Sequence, residues 1–198
     1  MRTDKKSQEP SYSKVWHLRS GAVYRRKDLA ASSKSVDRDL QLAVSTGRLR
    51  KVAQGLYYVP QQTPFGEVPP DDHVLIEKFL EDSHFLILNP SYYNTLGLGM
   101  TQLYNKTIVY NHKRHGKFLL GNRSFDFRVK HRFPMKHSTE FLWVDCLNNL
   151  DELAEDCEEV VRRARESLHR FDSMVLRQAV INYASTATRK LTKGWFGD

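Results

Sequence analysis

The sequence predicts a mixed α+β protein in two domains, on three observations. Val36, Leu40, Ala43 and Val44 fall at i, i+4, i+7 and i+8, one apolar helical stripe, and residues 49–59 then read as two short strands reversing at Gln54-Gly55. The formal net charge of +8 lies wholly in residues 1–60, which hold 13 Lys and Arg against 5 Asp and Glu, while the remainder holds 18 of each. Residues 61–70, QQTPFGEVPP, place three prolines and a glycine in ten positions, a composition that supports neither a helix nor a central strand. A helix–turn–helix closed by a β-hairpin is a winged helix. The expected architecture is therefore a winged helix–turn–helix over residues 1–62, a linker over 63–70, and a mixed α+β domain ending in helices over 71–198.

Residues 1–10 are polar and mark a frayed end. Residues 11–18 predict a short first helix anchored by Val15, Trp16 and Leu18 and ended at Ser20-Gly21. Residues 22–24 read as a strand, and Arg25, Arg26 and Lys27 lead into a short helix around residues 28–31. Ser32, Ser33 and Lys34 make the turn. Ser35 stands where a hydroxyl can cap the next helix, and Gly47 suits the left-handed residue that ends it. That longer helix is the expected reader of a major groove.

Off its apolar stripe lie Asp37, Arg38, Gln41 and Ser45. Arg38 is the expected base-edge contact, because a guanidinium pairs bidentately with guanine, and Gln41 can do the same for adenine. Asp37 either accepts from cytosine or holds Arg38 or Arg26 in place. Ser33, Lys34 and Ser35, beside the helix start, are the expected phosphate contacts, and Arg48, Arg50 and Lys51 load the wing. A solvated surface is the alternative at each position. A charge excess confined to one domain is the footprint of a polyanionic partner.

The second domain is expected to open with a helix over about residues 72–81, with Val74, Leu75, Phe79 and Leu80 on its core face. Residues 85–88 form an apolar strand, 92–98 a helical stretch ended by Gly97 or Gly99, and 106–111 an alternating strand. Residues 117–120 and 124–130 pair as a hairpin, with Phe125, Phe127 and Val129 on one face. Phe141, Leu142, Val144, Cys146 and Leu147 belong to a helix broken near Asn148-Asn149. A second helix runs from Asp151 past Arg165, and a third from Asp172, its N-cap, to about Leu191. Glu158–Arg162 and Glu159–Arg163 stand i,i+4 in the favourable order. The middle helix thus reads as solvated and internally paired, or as a charged docking surface.

No phosphate-binding glycine loop, His-Glu-x-x-His or Gly-x-Ser-x-Gly occurs, so no enzyme and no catalytic residue is expected. His112, His115, His131 and His137 match no metal-ligand spacing, and neither metal nor cofactor is expected. Residues 112–117 read as an exposed basic turn that could also touch nucleic-acid phosphates. The two cysteines, Cys146 and Cys157, lie in helix-like sequence, and no run of 18 apolar residues occurs. The polar N-terminus has no apolar region behind it. A cytoplasmic protein with no membrane span and no signal peptide is the expectation.

Residues 21–30 (GAVYRRKDLA), 36–40 (VDRDL), 47–51 (GRLRK) and 55–60 (GLYYVP), in that order, resemble the N-terminal winged helix of AbiE-type antitoxins, transcriptional regulators of bacterial type IV toxin–antitoxin and phage-defence operons. The likeness continues through residues 89–102 (NPSYYNTLGLGMTQ), similar to the helix and turn that open the family's C-terminal domain, and through the strand at 106–111 (KTIVYN). It spans roughly residues 21–150, as a compact variant with a shortened second domain. The resemblance implies an antitoxin that binds double-stranded operator DNA at inverted repeats and represses its own operon. It also implies that the C-terminal domain counteracts a cognate nucleotidyltransferase-like toxin. The residues by themselves leave open a plain winged-helix regulator and an RNA- or toxin-binding module.

Overall fold

The computed structural model describes residues 16–196, so residues 1–10 and most of the expected helix at 11–18 lie outside the described residues. The fold is mixed α+β and divides into two compact units, one of Met1–Ser83 with Leu119–Arg123, the other of His84–Phe118 with Ser124–Asp198.

In the first unit the order is β1 (Val23–Arg25), α1 (Arg26–Ala30), α2 (Val36–Ser45), β2 (Arg50–Ala53), β3 (Leu56–Tyr58), β4 (Gln61–Thr63), β5 (Gly66–Val68) and α3 (Asp72–Leu80). β3 lies between β1 and β2, antiparallel to both. The apolar stripe of α2 does what its spacing dictates. Leu40 and Ala43 are buried with Trp16, Leu29 and Leu49, and Val36 and Val44 pack at the margin. The Trp16 indole N–H donates to the Leu29 carbonyl (3.1 Å), so the ring is buried without an orphan donor. Gly47, at φ 75°, turns the chain out of α2, and its N–H bonds the Val44 carbonyl.

The stretch expected as a linker folds instead. β4 and β5 make a two-stranded antiparallel hairpin turning at Pro64-Phe65. Its prolines are tolerated because they flank the strands, where no ladder donor is missed. The Tyr58 hydroxyl donates to the Val68 carbonyl and ties this hairpin to β3. α3, expected to open the second domain, belongs to the first unit. Its N-cap Asp71 accepts from the Val74 N–H (3.1 Å). At its other end the Arg25 guanidinium donates to the carbonyls of Lys78 (2.8 Å) and Phe79 (3.3 Å) and pairs with Glu81 (3.0 Å). A cation on the last carbonyls of a helix also suits its dipole. The division therefore falls after Ser83 rather than over residues 63–70.

In the second unit β6 (Leu86–Leu88), β7 (Thr107–Asn111), β8 (Gly116–Leu120) and β9 (Arg123–Val129) form one sheet in the order β6-β7-β9-β8. The tip of the β8–β9 hairpin counts with the first unit, where the Gly121 N–H donates to the Val52 carbonyl on β2 (2.7 Å). β9 also runs parallel to β7, from Thr107 opposite Phe125 to Asn111 opposite Val129. Phe125 and Phe127 are buried as alternation requires, whereas Val129 on the same face is 45% exposed. Pro90–Leu96 is a 3-10 helix, ended by Gly97 at φ 66°. α4 (Thr139–Asn148) is buried at every position from Phe141 to Leu147, as befits a helix that is apolar almost all round.

The later helices are shorter than the sequence suggests. Leu150–Glu152 is a 3-10 turn, and α5 (Cys157–Glu166) starts only where the Asp156 carboxylate accepts the Glu158 and Glu159 N–H groups. The expected third helix breaks at Ala184 (ψ 138°) into α6 (Ser173–Tyr183) and α7 (Thr186–Leu191). Ser185 caps the new start by accepting from Thr188 N–H (3.1 Å). On α5 the Glu159–Arg163 pair forms (2.5 Å), but Arg162 meets Glu159 (2.7 Å) and Glu166 (2.5 Å) instead of Glu158. No helix among the described residues is long and apolar enough to cross a membrane.

One ion cluster braces the sheet against the 3-10 turn. The Arg128 guanidinium meets Asp126 (2.8 Å) and Glu152 (2.6 Å), and Lys106 adds a second cation to Glu152 (2.7 Å). The hydrogen bond from Arg128 is the chief reason the Glu152 carboxyl falls from 4.5 to about 2. A depressed carboxyl adds stability above its unfolded value and loses it as pH falls through its folded one. Glu152→Gln is expected to lower the unfolding free energy measured in urea at neutral pH by at most about 1 kcal/mol, because a surface-accessible pair is screened. The deficit should shrink between pH 4.5 and about 2. An equal deficit at both ends of that range would remove the pair from the stability argument.

Candidate nucleic-acid interface

α2 is positioned by its own first turn and by the strand-like run that follows it. Ser35 occupies the N-cap position, but its hydroxyl takes no backbone N–H. Its backbone (φ −135°, ψ 49°) departs from the extended geometry that aims a cap side chain at the helix, and its N–H instead donates to the Ser33 hydroxyl (3.0 Å). Ser33 in turn donates to the Asp39 carboxylate (2.5 Å). The Ser33 hydroxyl is thereby engaged, which leaves Lys34 and Ser35 as the exposed groups beside the helix start. Asp37 and Asp39 both lie in the first turn, so the helix N-terminus already faces two carboxylates.

Asp37 resolves in favour of a holding role. It receives Nε and Nη2 of Arg26 in a bidentate pair at 2.7 Å each, and that bonding keeps its carboxyl below the ordinary aspartate value. Arg26 is therefore committed to Asp37, and Arg38 is not. Arg38 and Gln41 are exposed on the side of α2 away from buried Leu40 and Ala43, with no partner among the described residues. Ser45 is exposed too, and its hydroxyl donates back to the Leu42 carbonyl (2.9 Å) while keeping its acceptor lone pairs.

Leu42 was not among the expected contacts. It is 39% exposed, four residues after Arg38 and three before Ser45, hence between them on the outward face. Its position off the apolar stripe was the available signal. An apolar group between polar ones on such a face suits the methyl of thymine.

The basic excess is redistributed on folding. Residues 61–83 bring six acidic and one basic side chain into the first unit, which with Arg123 holds 15 basic and 11 acidic groups, a net of +4. Glu67 pairs with Arg50 (3.2 Å), Glu81 with Arg25 (3.0 Å) and with Lys27, and Asp72 with Arg123 (2.5 Å). Arg50 is thus half-neutralised where it was expected to load a wing. Lys51 is exposed on β2, and Arg48 is partly buried between α2 and β2. The face that remains is α2 with Lys34 at one end and Lys51 beyond the other.

Elsewhere, His112 Nε2 meets His84 Nδ1 (3.1 Å), and both rings lie against Phe133. Among the described residues no group of three or more His, Cys, Asp or Glu side chains is placed to hold a metal ion. Burial pushes the Cys146 thiol up to about 12, so it is an inert core group. No protein-family model matches the chain, and no curated protein matches it.

Proposed function

We propose that the first unit is a winged helix–turn–helix that binds operator DNA, with α2 in the major groove, and that the chain is an AbiE-type antitoxin repressing its own operon. The observation that carries this reading is the combination of helix, turn and helix with a β1-β3-β2 sheet, over which α2 turns Arg38 and Gln41 outward. That is the arrangement in which a recognition helix meets base edges and the following hairpin meets the backbone. The folded units carry +4 each, so the charge supports a polyanionic partner for the chain, and the choice of the first unit rests on its helix, turn and sheet. The antitoxin half of the proposal rests on the resemblance of the motifs quoted above, and its partner is the nucleotidyltransferase-like toxin.

The direct test is binding of the intact protein to its own upstream DNA, compared with random DNA, across a salt series. Tight binding to the upstream DNA alone supports the reading; equal affinity for both removes operator recognition. The same series separates the cations. Lys51→Gln should lower the slope of log K against log salt by roughly 0.9, as one phosphate contact is lost. Arg50→Gln should lower it less, because Glu67 already meets that guanidinium. Glu67→Gln should raise the slope, and a slope insensitive to Glu67 would show that the pair does not restrain Arg50.

Repression and neutralisation are separable on the intact chain. Arg38→Ala with Gln41→Ala should abolish repression but still rescue cells in which the toxin is made from an unrelated promoter. Loss of both activities would place neutralisation on α2 as well.

A further inference from the structure

The second unit carries a basic end outside the proposed operator interface. It holds 16 basic and 12 acidic side chains, and the excess is local. Residues 111–117 contain three Lys or Arg and residues 128–137 contain four, of which Arg128 and Lys130 are met by carboxylates from outside the segment, and neither segment contains an acidic residue of its own. The parallel pairing of β7 with β9 sends both segments out of the same end of the sheet. Asn111 fixes their departure: its carbonyl accepts from Lys130 N–H (3.0 Å), and its side chain accepts from Lys113 N–H (2.8 Å) and Arg114 N–H (2.7 Å). His112 stacks on Phe133 (4.8 Å between ring centroids), which joins the two segments again further out.

Beside this end is a cavity of about 500 Å³, and Lys130, His131, Arg132, Asn182, Tyr183 and Arg189 are among its lining residues. No Asp or Glu lines it. Lys130 is held by the buried Asp145 carboxylate (2.9 Å), so its charge is compensated. Arg132 is exposed with no partner among the described residues. Arg189 spends one donor on the Ile181 carbonyl (2.9 Å) and keeps the rest. Asn182 accepts from Gln178 (3.2 Å), which leaves its own amide donors unengaged among the described residues.

We infer that this cavity is a binding site for a nucleoside phosphate, free or as one residue of a single-stranded RNA. Two guanidiniums without carboxylate partners provide forked donors for phosphate oxygens. Tyr183 offers a ring on which a base can stack, and the Asn182 amide can read a base edge. The volume suits one nucleotide, and the acid-free runs at 111–117 and 128–137 would carry the backbone of a longer strand onward.

The test uses the full chain and three probes: inorganic phosphate, adenosine monophosphate and a 5′-labelled oligoadenylate RNA. Calorimetry and anisotropy should detect the nucleotide or the RNA. Arg132→Ala with Arg189→Gln should weaken that binding by about tenfold or more, as charge-assisted bonds are lost. Affinity for operator DNA should be unchanged. Arg132→Ala alone lies outside every helix and strand, and should weaken binding by a smaller factor even if the Arg189 change disturbs α7. Binding of RNA without the mononucleotide assigns the site to a strand; binding of both assigns it to a free nucleotide as well. The inference is overturned if neither binds at about 1 mM, if phosphate alone matches the nucleotide, or if Arg132→Ala leaves affinity intact.

Discussion

Asp145→Ala should destabilise the protein by about 2–4 kcal/mol, the cost of leaving two buried hydroxyls without their acceptor and a part-buried ammonium without its counter-ion. Asp145 is fully buried on α4 and accepts from the hydroxyls of Tyr93 (2.8 Å) and Tyr110 (3.0 Å) and from the Lys130 ammonium (2.9 Å). Lys130 also lies over the Tyr110 ring (3.7 Å to its centroid). Burial raises both phenols far above their ordinary values, so they remain donors throughout the working pH range. Removing the carboxylate orphans two buried hydroxyls and leaves the part-exposed Lys130 ammonium to water. Asp145→Asn retains an acceptor oxygen in the same place and should cost less, about 1–3 kcal/mol. Urea unfolding of both variants measures this. An alanine variant within about 1 kcal/mol of the parent would mean that water can replace the carboxylate.

Arg38→Ala should weaken operator binding by about 1–3 kcal/mol and relax the base preference at one position of the site. Binding to random DNA should change far less, because a base contact carries sequence information whereas a phosphate contact does not. Arg26→Ala is the matched control. Its guanidinium is committed to Asp37, so its loss should free that carboxylate on the proposed DNA-facing side and weaken all sequences alike. Equal losses on operator and random DNA for Arg38→Ala would reassign it to the backbone.

Local features were legible in the sequence, and distant ones were not. The α2 stripe, Gly47 and the Gln54-Gly55 reversal depend on periodicity and turn chemistry within a dozen residues, and the fold carries all three. The placement of α3 depends on Arg25 reaching the Lys78 and Phe79 carbonyls across more than fifty residues, which no local pattern encodes. The β7–β9 pairing is likewise non-local, because an alternating strand does not specify its neighbour. Ser35 stands where serine caps helices, but its N–H goes to the nearby Ser33 hydroxyl, which Asp39 holds in turn, a local competition that capping preference alone does not rank. The partner of Arg50, Glu67, lies 17 residues on in a segment whose composition reads as a linker, so the pair is not legible from either stretch.

The bond from Gly121 to the Val52 carbonyl sets a clock on the ribosome. β2 is an edge strand, and the residue that closes its edge lies 38 positions beyond Ser83 in the chain. At about 5–20 residues per second, that gap is worth roughly 2–8 s of synthesis. Throughout it, neighbouring nascent chains on one message could add strand to strand along β2. Arg50 and Lys51 stand exposed on that strand, and like charges meeting in such a pairing would repel. With Arg50 met by Glu67, Lys51 is the cation placed to deter such pairing while the edge stays open.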